Sequence, residues 1–249
     1  MSTISLVFSR YFFDLLTVSP DQGVILYPLV RRASIKDIIE ALGVPHPEVG
    51  SLLANGAEID FSYIPEDNDR IEISPLTSPV DVVTPSILRP QPFPATTFAV
   101  DVNVAKLAPL LRMIGMDCWY QDNVDDATLA RVAHQQQRIL LTRDTLLLKR
   151  KEVVFGHLVR AQDPSEQLRE IIDLYGLRPL IAPFSRCMTC NGKLRPIEKN
   201  MILSRLEPLT KKYYHTFQRC DECGKIYWPG SHRQRMEKKI QTVLATPQS

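Results

Sequence analysis

Two Cys-x-x-Cys steps near the C-terminus, Cys187-Met-Thr-Cys190 and Cys220-Asp-Glu-Cys223, limit what this chain can fold into more than any other feature of its 249 residues. Two residues between thiols let both sulfurs of a tight turn face one ion, and two such turns complete a tetrahedral Zn²⁺ site with no open position. A closed site of this kind is structural: metal binding contributes folding free energy to a segment too short to build its own core. The competing arrangement, two disulfides, requires an oxidising compartment. The apolar stretches Ile4 to Phe8 and Tyr11 to Val18 are broken by Ser9-Arg10 and Asp14, with no small-residue cleavage site, so a signal peptide is not expected. No stretch is long enough to cross a bilayer. A reducing, cytoplasmic setting with no membrane association is therefore expected, and Cys187, Cys190, Cys220 and Cys223 are read as zinc ligands. The 29 residues between the pairs exceed the usual ~15–20, which predicts an excursion that leaves and rejoins the metal core. Cys118, within Met-Asp-Cys-Trp-Tyr, reads as a small buried hydrophobe.

A hydrophobic fraction of 44% over this length supports two or three globular units. The seam runs from Pro75 to Pro94, where six prolines and no glycine predict a stiff, extended linker. The division expected is 1–76, a linker over 77–95, 96–182 and 183–249. Charge follows it. Residues 1–95 carry 6 basic and 12 acidic side chains, 96–182 carry 11 of each, and 183–249 carry 13 basic and 5 acidic. A basic tail suggests a polyanion partner, although four thiolates around a dication subtract about two charges from it.

In the first unit, Ile4 to Phe8 and Gly23 to Tyr27 read as strands. Ser34 caps a helix with Ile35, Ile38, Ile39 and Leu42 on one face, ended by Gly43 and Pro45. Asn55-Gly56 is a tight-turn pair, followed by the strands Glu58 to Phe61 and Arg70 to Ile73. This order resembles the ubiquitin-like β-grasp fold of sulfur-carrier proteins. Those proteins act through a free C-terminal Gly-Gly, whereas here the last strand runs into Ser74-Pro75, so an interaction or substrate-positioning module is expected instead.

The middle unit alternates strand and helix, which predicts an α/β sheet with parallel strands. Thr97 to Asp101, Cys118 to Tyr120, Arg138 to Asp144 and Glu152 to Phe155 read as strands. Helices are expected from about Asn103 to Met113, either beginning late near Lys106 with Pro109 in the first turn or kinked at Pro109, from Asp126 to His134, and from Pro164 up to Gly176. Asp101 and Asp144 follow strands and Asp126 opens a helix. Carboxyl ends of strands form the ligand crevice of α/β sheets, and carboxylates gathered there are neutralised by hard cations such as Mg²⁺ or Mn²⁺. Each aspartate also has a plain explanation as a helix cap or turn residue.

Three groups of motifs together carry a resemblance: Phe98-Ala-Val-Asp-Val-Asn-Val-Ala-Lys-Leu-Ala; Asp126-Ala-Thr-Leu-Ala-Arg-Val-Ala with Arg138-Ile-Leu-Leu-Thr-Arg-Asp144; and the segments around both cysteine pairs, Phe184 to Gly192 and Cys220 to His232. The chain resembles the Mut-seven C-terminal RNase family, a PIN-like nuclease domain fused to a zinc ribbon and often preceded by a ubiquitin-like domain. The resemblance implies an α/β, PIN-like parallel-sheet domain and a metal-dependent ribonuclease acting on RNA. Its catalytic Mg or Mn ligands fall on Asp101, Asp126 and Asp144, with Asp125 competing for the place of Asp126, and its structural zinc thiols on the cysteine quartet. Lys106 and Arg143 are candidates to hold a phosphate or to salt-bridge the carboxylates. Thr142 is a candidate to steady a bound water, and Asp163 a fourth acid or the cap of the following helix. His232, Phe217, Tyr227 and Trp228 would stack bases or pack around zinc. Arg186, Lys193, Arg195, Lys211, Lys212, Arg219 and Lys225 would track an RNA backbone. Val102 stands where the family has a second acid and Ala105 where it has a glycine, which motivates an alternative: a catalytically weak or inactive RNA-binding or ribosome-associated factor. A third reading makes the acidic β-grasp unit a platform for a protein partner.

Overall fold

The computed structural model describes residues 2–245. The N-terminal stretch runs β1 (Thr3–Phe8), β2 (Val24–Pro28), α1 (Ile35–Ala41), β3 (Val49–Ala54), β4 (Ala57–Glu58) and β5 (Arg70–Pro75). The middle continues with β6 (Phe98–Val100), α2 (Leu107–Met113), β7 (Cys118–Trp119), α3 (Asp126–Gln135), β8 (Ile139–Thr142), α4 (Thr145–Leu148), β9 (Gly156–Leu158) and α5 (Pro164–Leu174). The C-terminal stretch holds β10 (Leu194–Ile197), α6 (Pro208–Tyr213), β11 (Phe217–Cys220), β12 (Ile226–Tyr227) and α7 (Ser231–Ala245).

The five N-terminal strands form one sheet in the order β2-β1-β5-β3-β4, with β1 and β5 parallel and their other partners antiparallel. That is the β-grasp arrangement. Ser34 caps α1 by accepting from the Asp37 N–H at 3.2 Å, as the sequence predicts. Ile35, Ile38 and Ile39 then bury against Ile4, Leu6, Leu52, Ile71 and Ile73 of the sheet. Asn55 and Gly56 both take positive φ, 52° and 84°, which suits a two-residue hairpin turn. The strand expected over Glu58 to Phe61 is not present: β4 stops at Glu58, because Asp60 Oδ1 accepts from both the N–H and the hydroxyl of Ser62 and turns the chain.

Two compact units emerge. Residues 2–103 and 122–159 form one, and 104–121 with 160–245 the other. In the first, β6, β8 and β9 lie side by side and parallel, Val100 opposite Leu141 and Leu141 opposite His157. All four residues of β8 are buried, as expected for a parallel strand covered on both faces. A strand was expected over Glu152 to Phe155; it lies instead at β9, because the Val153 N–H closes a turn onto the Arg150 carbonyl.

Residues 77–95 contain no helix or strand, and several of them pack against the first unit. Val82, Arg89 and Phe93 are buried. Arg89 donates to the carbonyls of Pro47, Val49 and Val154 and lies over the Phe155 ring, against which Phe93 also packs. The segment is therefore part of the first unit's packing.

In the second unit α2 begins at Leu107, leaving Pro109 in its first turn where its missing N–H costs nothing. Cys118 is fully buried. The antiparallel strands β10, β11 and β12 form the C-terminal ribbon. Helix α7 packs on α5 through Ile240 and Val243, and its last carbonyls accept from Arg169 and Arg178, guanidinium groups that suit the negative end of a helix. Among the described residues no helix is long and apolar enough to cross a membrane.

Candidate active site and metal centre

The four cysteines meet as their spacing predicts. Each pair sits on the same kind of turn: Asn191 N–H donates to the Cys187 carbonyl and Gly224 N–H to the Cys220 carbonyl, with Asn191 and Gly224 both at positive φ. Register does the rest, since β10 pairs with β11 so that Leu194 faces Cys220 and brings one turn over the other. Cys187 Sγ lies 3.7 Å from Cys223 Sγ and Cys190 Sγ 3.4 Å from Cys220 Sγ, and all four sulfurs fall within 4.8 Å of one another. Zinc–sulfur bonds of about 2.3 Å in a tetrahedron require sulfurs about 3.8 Å apart, so the donor set fits zinc. None of the five cysteines is in a disulfide.

Electrostatics point the same way. Burial pushes the thiols up, raising Cys223 and carrying Cys220 to about 12. At Cys187 burial also opposes ionisation, but the Tyr227 hydroxyl at 3.1 Å and backbone N–H groups of Cys190 and Thr189 hold it down to about 6. One thiolate forms readily here; ionising all four requires a compensating cation. Gly192 is part of the fit, since a Cβ there would lie 2.8 Å from Cys220 Sγ and 2.5 Å from Glu222 Cγ.

The acidic residues come together in part. The Asp101 N–H donates to the Leu141 carbonyl, which fixes Asp101 at the carboxyl end of β6. Asp101 is only 6% exposed, and its carboxylate accepts three hydrogen bonds of 2.6 Å: Oδ1 from the Val102 N–H, Oδ2 from Asn103 Nδ2 and Thr142 Oγ1. Thr142 ends β8, and its Oγ1 accepts from the Asp144 N–H at 2.9 Å. A single hydroxyl thus joins the Asp101 carboxylate to the backbone of Asp144. Asp144 caps α4, with Oδ1 accepting from Leu146 N–H at 2.7 Å and Leu147 N–H at 3.3 Å. Asn103 bridges the site, donating also to Thr142 Oγ1 and accepting the Arg143 N–H at 3.0 Å.

Asp126 is the first residue of α3 and exposed, while Asp125 is its cap, accepting from the N–H and hydroxyl of Thr128. The Thr128 N–H and hydroxyl lower the Asp125 pKa from its usual value. Asp101, Asp126 and Asp144 do not gather into a set with ligand atoms within 4.8 Å; among the described residues only the cysteine quartet does. Asp163 caps α5 through Ser165 and Glu166. Lys106 is exposed at the start of α2, and Arg143 is exposed directly after β8. The aromatic set divides: Phe217 is buried, Tyr227 bonds the Cys187 thiol, and Trp228 and His232 are exposed. Of the basic residues, Arg186 pairs with Asp117 and Arg195 with Asp221. Asn103 was missed from sequence; its only signal was its place two residues after Asp101, which reads equally as a turn.

Fold and sites together define a mixed α/β protein in which a β-grasp unit precedes a parallel sheet and a C-terminal cysteine centre of the zinc-ribbon type. Residues 96–240 match the family model of the Mut7-C RNAse domain, and residues 1–81 that of the Mut7-C ubiquitin domain. The first match alone spans more than half of the sequence, and the chain belongs to the Mut7-C RNAse domain family, with the ubiquitin-like domain ahead of it. No curated protein and no solved structure matches it.

Proposed function

We propose that the chain is a metal-dependent ribonuclease that hydrolyses RNA phosphodiester bonds, with Asp101, Asp144 and Asp126 as its acids and the zinc ribbon assisting RNA binding. The supporting observation is the Asp101–Thr142–Asp144 linkage at the carboxyl ends of neighbouring parallel strands, where open α/β sheets place their ligands. The donor set suits Mg²⁺ or Mn²⁺, which are commonly held by one or two carboxylates while keeping several waters. When bound, such an ion supplies neutralisation of phosphate charge and a more acidic water. Asn103 and Thr142 fix the Asp101 carboxylate, and the start of α4 orients Asp144. Arg143 and Lys106 supply cations for the phosphate, Asp126 adds a carboxylate at the start of α3, and the β-grasp unit is a platform for a protein partner in the cytoplasm.

Asp144→Asn is the cleaner test, because Asn caps a helix as well as Asp does and removes only the charge. It and Asp101→Asn should each abolish Mg²⁺- or Mn²⁺-supported cleavage of single-stranded or structured RNA with the fold retained by circular dichroism. Normal cleavage by both variants, or none by the wild type with either metal, would overturn the reading. A second reading, an RNA-binding factor without catalysis, is favoured by the saturation of Asp101 with three donors and by the 61% exposed Val102 at the position of the family's second acid. Its signature is salt-sensitive RNA binding that persists without Mg²⁺ or Mn²⁺ and leads to no cleavage.

A further inference from the structure

Two adjoining hollows open in the C-terminal ribbon, of about 430 and about 260 Å³, and both are lined by Phe184, Gln218, Tyr227, Trp228 and Arg233. Trp228 is 37% exposed, unlike Phe217, which is sunk in the ribbon's core. Among the described residues no acidic side chain lines either hollow, whereas Arg186, Lys225 and His232 join Arg233 in the larger. The walls are fixed before any ligand arrives. The Tyr227 hydroxyl bonds Cys187 Sγ, Lys225 Nζ donates to Thr189 Oγ1 at 3.1 Å, and the Arg233 guanidinium lies 4.5 Å over the Phe184 ring. Arg186 is steadied by Asp117 and Arg233 by Glu237, which leaves each guanidinium with further donors from its five.

We propose that these hollows are a binding subsite for unpaired RNA. Consecutive bases lie on either side of the Trp228 indole, Gln218 meets a base edge, and Arg186, Lys225 and Arg233 take the backbone phosphates. Aromatic faces flanked by cations are the general solution for single strands, because every base has a stacking face. Bases in a duplex are already stacked and cannot enter. Each hollow holds about one nucleotide, and the larger lies within the ~300–1,000 Å³ of small-ligand sites. The excess of 13 basic over 5 acidic side chains in residues 183–249 supplies the matching field. The choice of RNA rests on the ribonuclease reading; the hollows do not.

The test uses the full-length, zinc-loaded protein without added Mg²⁺ or Mn²⁺, titrated with fluorescent short oligouridylate and with duplex RNA. Oligouridylate should bind more tightly than duplex. Trp228→Ala should weaken it about tenfold, or ~1.4 kcal/mol, the scale of one stacked base. Its salt slope should not change, and Trp228→Phe should recover most of the loss. Lys225→Gln should lower affinity and reduce the salt slope by about one. Zinc content reports that each variant is folded. Binding unchanged in both Trp228→Ala and Lys225→Gln, or a preference for duplex, overturns the subsite. If the wild type cleaves RNA while both variants bind normally, the ribonuclease reading stands and this one falls. If it binds through Trp228 but never cleaves, the reverse holds.

Discussion

Glu48 is fully buried, yet its carboxylate accepts from the Tyr11 hydroxyl at 2.6 Å, the Leu158 N–H at 2.7 Å and His157 Nδ1 at 3.0 Å. Burial pushes its pKa up, but attraction to His157 and these three bonds outweigh it and hold the group below its ordinary 4.5. A depressed carboxyl stabilises the fold above the unfolded value, and that contribution is lost as pH falls below about 4.5 toward the folded one. Glu48→Gln should therefore cost about 3–5 kcal/mol near neutrality, where it breaks a buried pair. It should also flatten the fall in stability below pH 4.5, as read from urea unfolding at several pH values. Nothing in the sequence marked Glu48 or His157, because their partners lie 37 to 110 positions away. At the cysteine centre, Gly192→Ala should lower zinc affinity about 10–100-fold in a chelator competition, since the added methyl meets Cys220 Sγ.

Elements whose signals are local followed the sequence. Ser34 and Asp163 cap α1 and α5 because a cap needs only its own next three residues, whereas the cap of α3 is Asp125, one residue before the Asp126 that the sequence pointed to. The preference for Asp126 over Asp125 as the acid rests on the family's spacing to Leu129; the helix start assigns capping to Asp125 and places Asp126 in the first turn. Asp125→Ala should lower the melting temperature and keep cleavage, while Asp126→Asn should reduce cleavage at unchanged melting temperature. The opposite pattern in paired thermal melts and RNA assays would move the acid to Asp125. Strands were less legible. β9 was expected four residues early because Val-Val-Phe has the right composition, but its place depends on pairing with Leu140 to Thr142 across the sheet.

At the scale of the molecule, the β-grasp unit and the parallel strands β6, β8 and β9 fall in one compact unit, tied through Glu48, His157 and Arg89. Removing residues 1–95 should leave His157 and the Leu158 N–H without their carboxylate and expose Phe155. The remainder is then expected to aggregate, as measured by size-exclusion chromatography; a soluble, active fragment would show that the unit is a removable appendage. The sequence by itself determined the two Cys-x-x-Cys turns, the caps of α1 and α5, the alternation of strand and helix and the family, because each is written in spacings of a few residues or in motifs. Only the tertiary structure decided that residues of the proline-rich segment are packed, that the Thr142 hydroxyl joins the Asp101 carboxylate to the Asp144 N–H, and that Trp228 lines both hollows. Those depend on contacts between residues distant in the chain, which the burial of side chains settles all at once and no local pattern encodes.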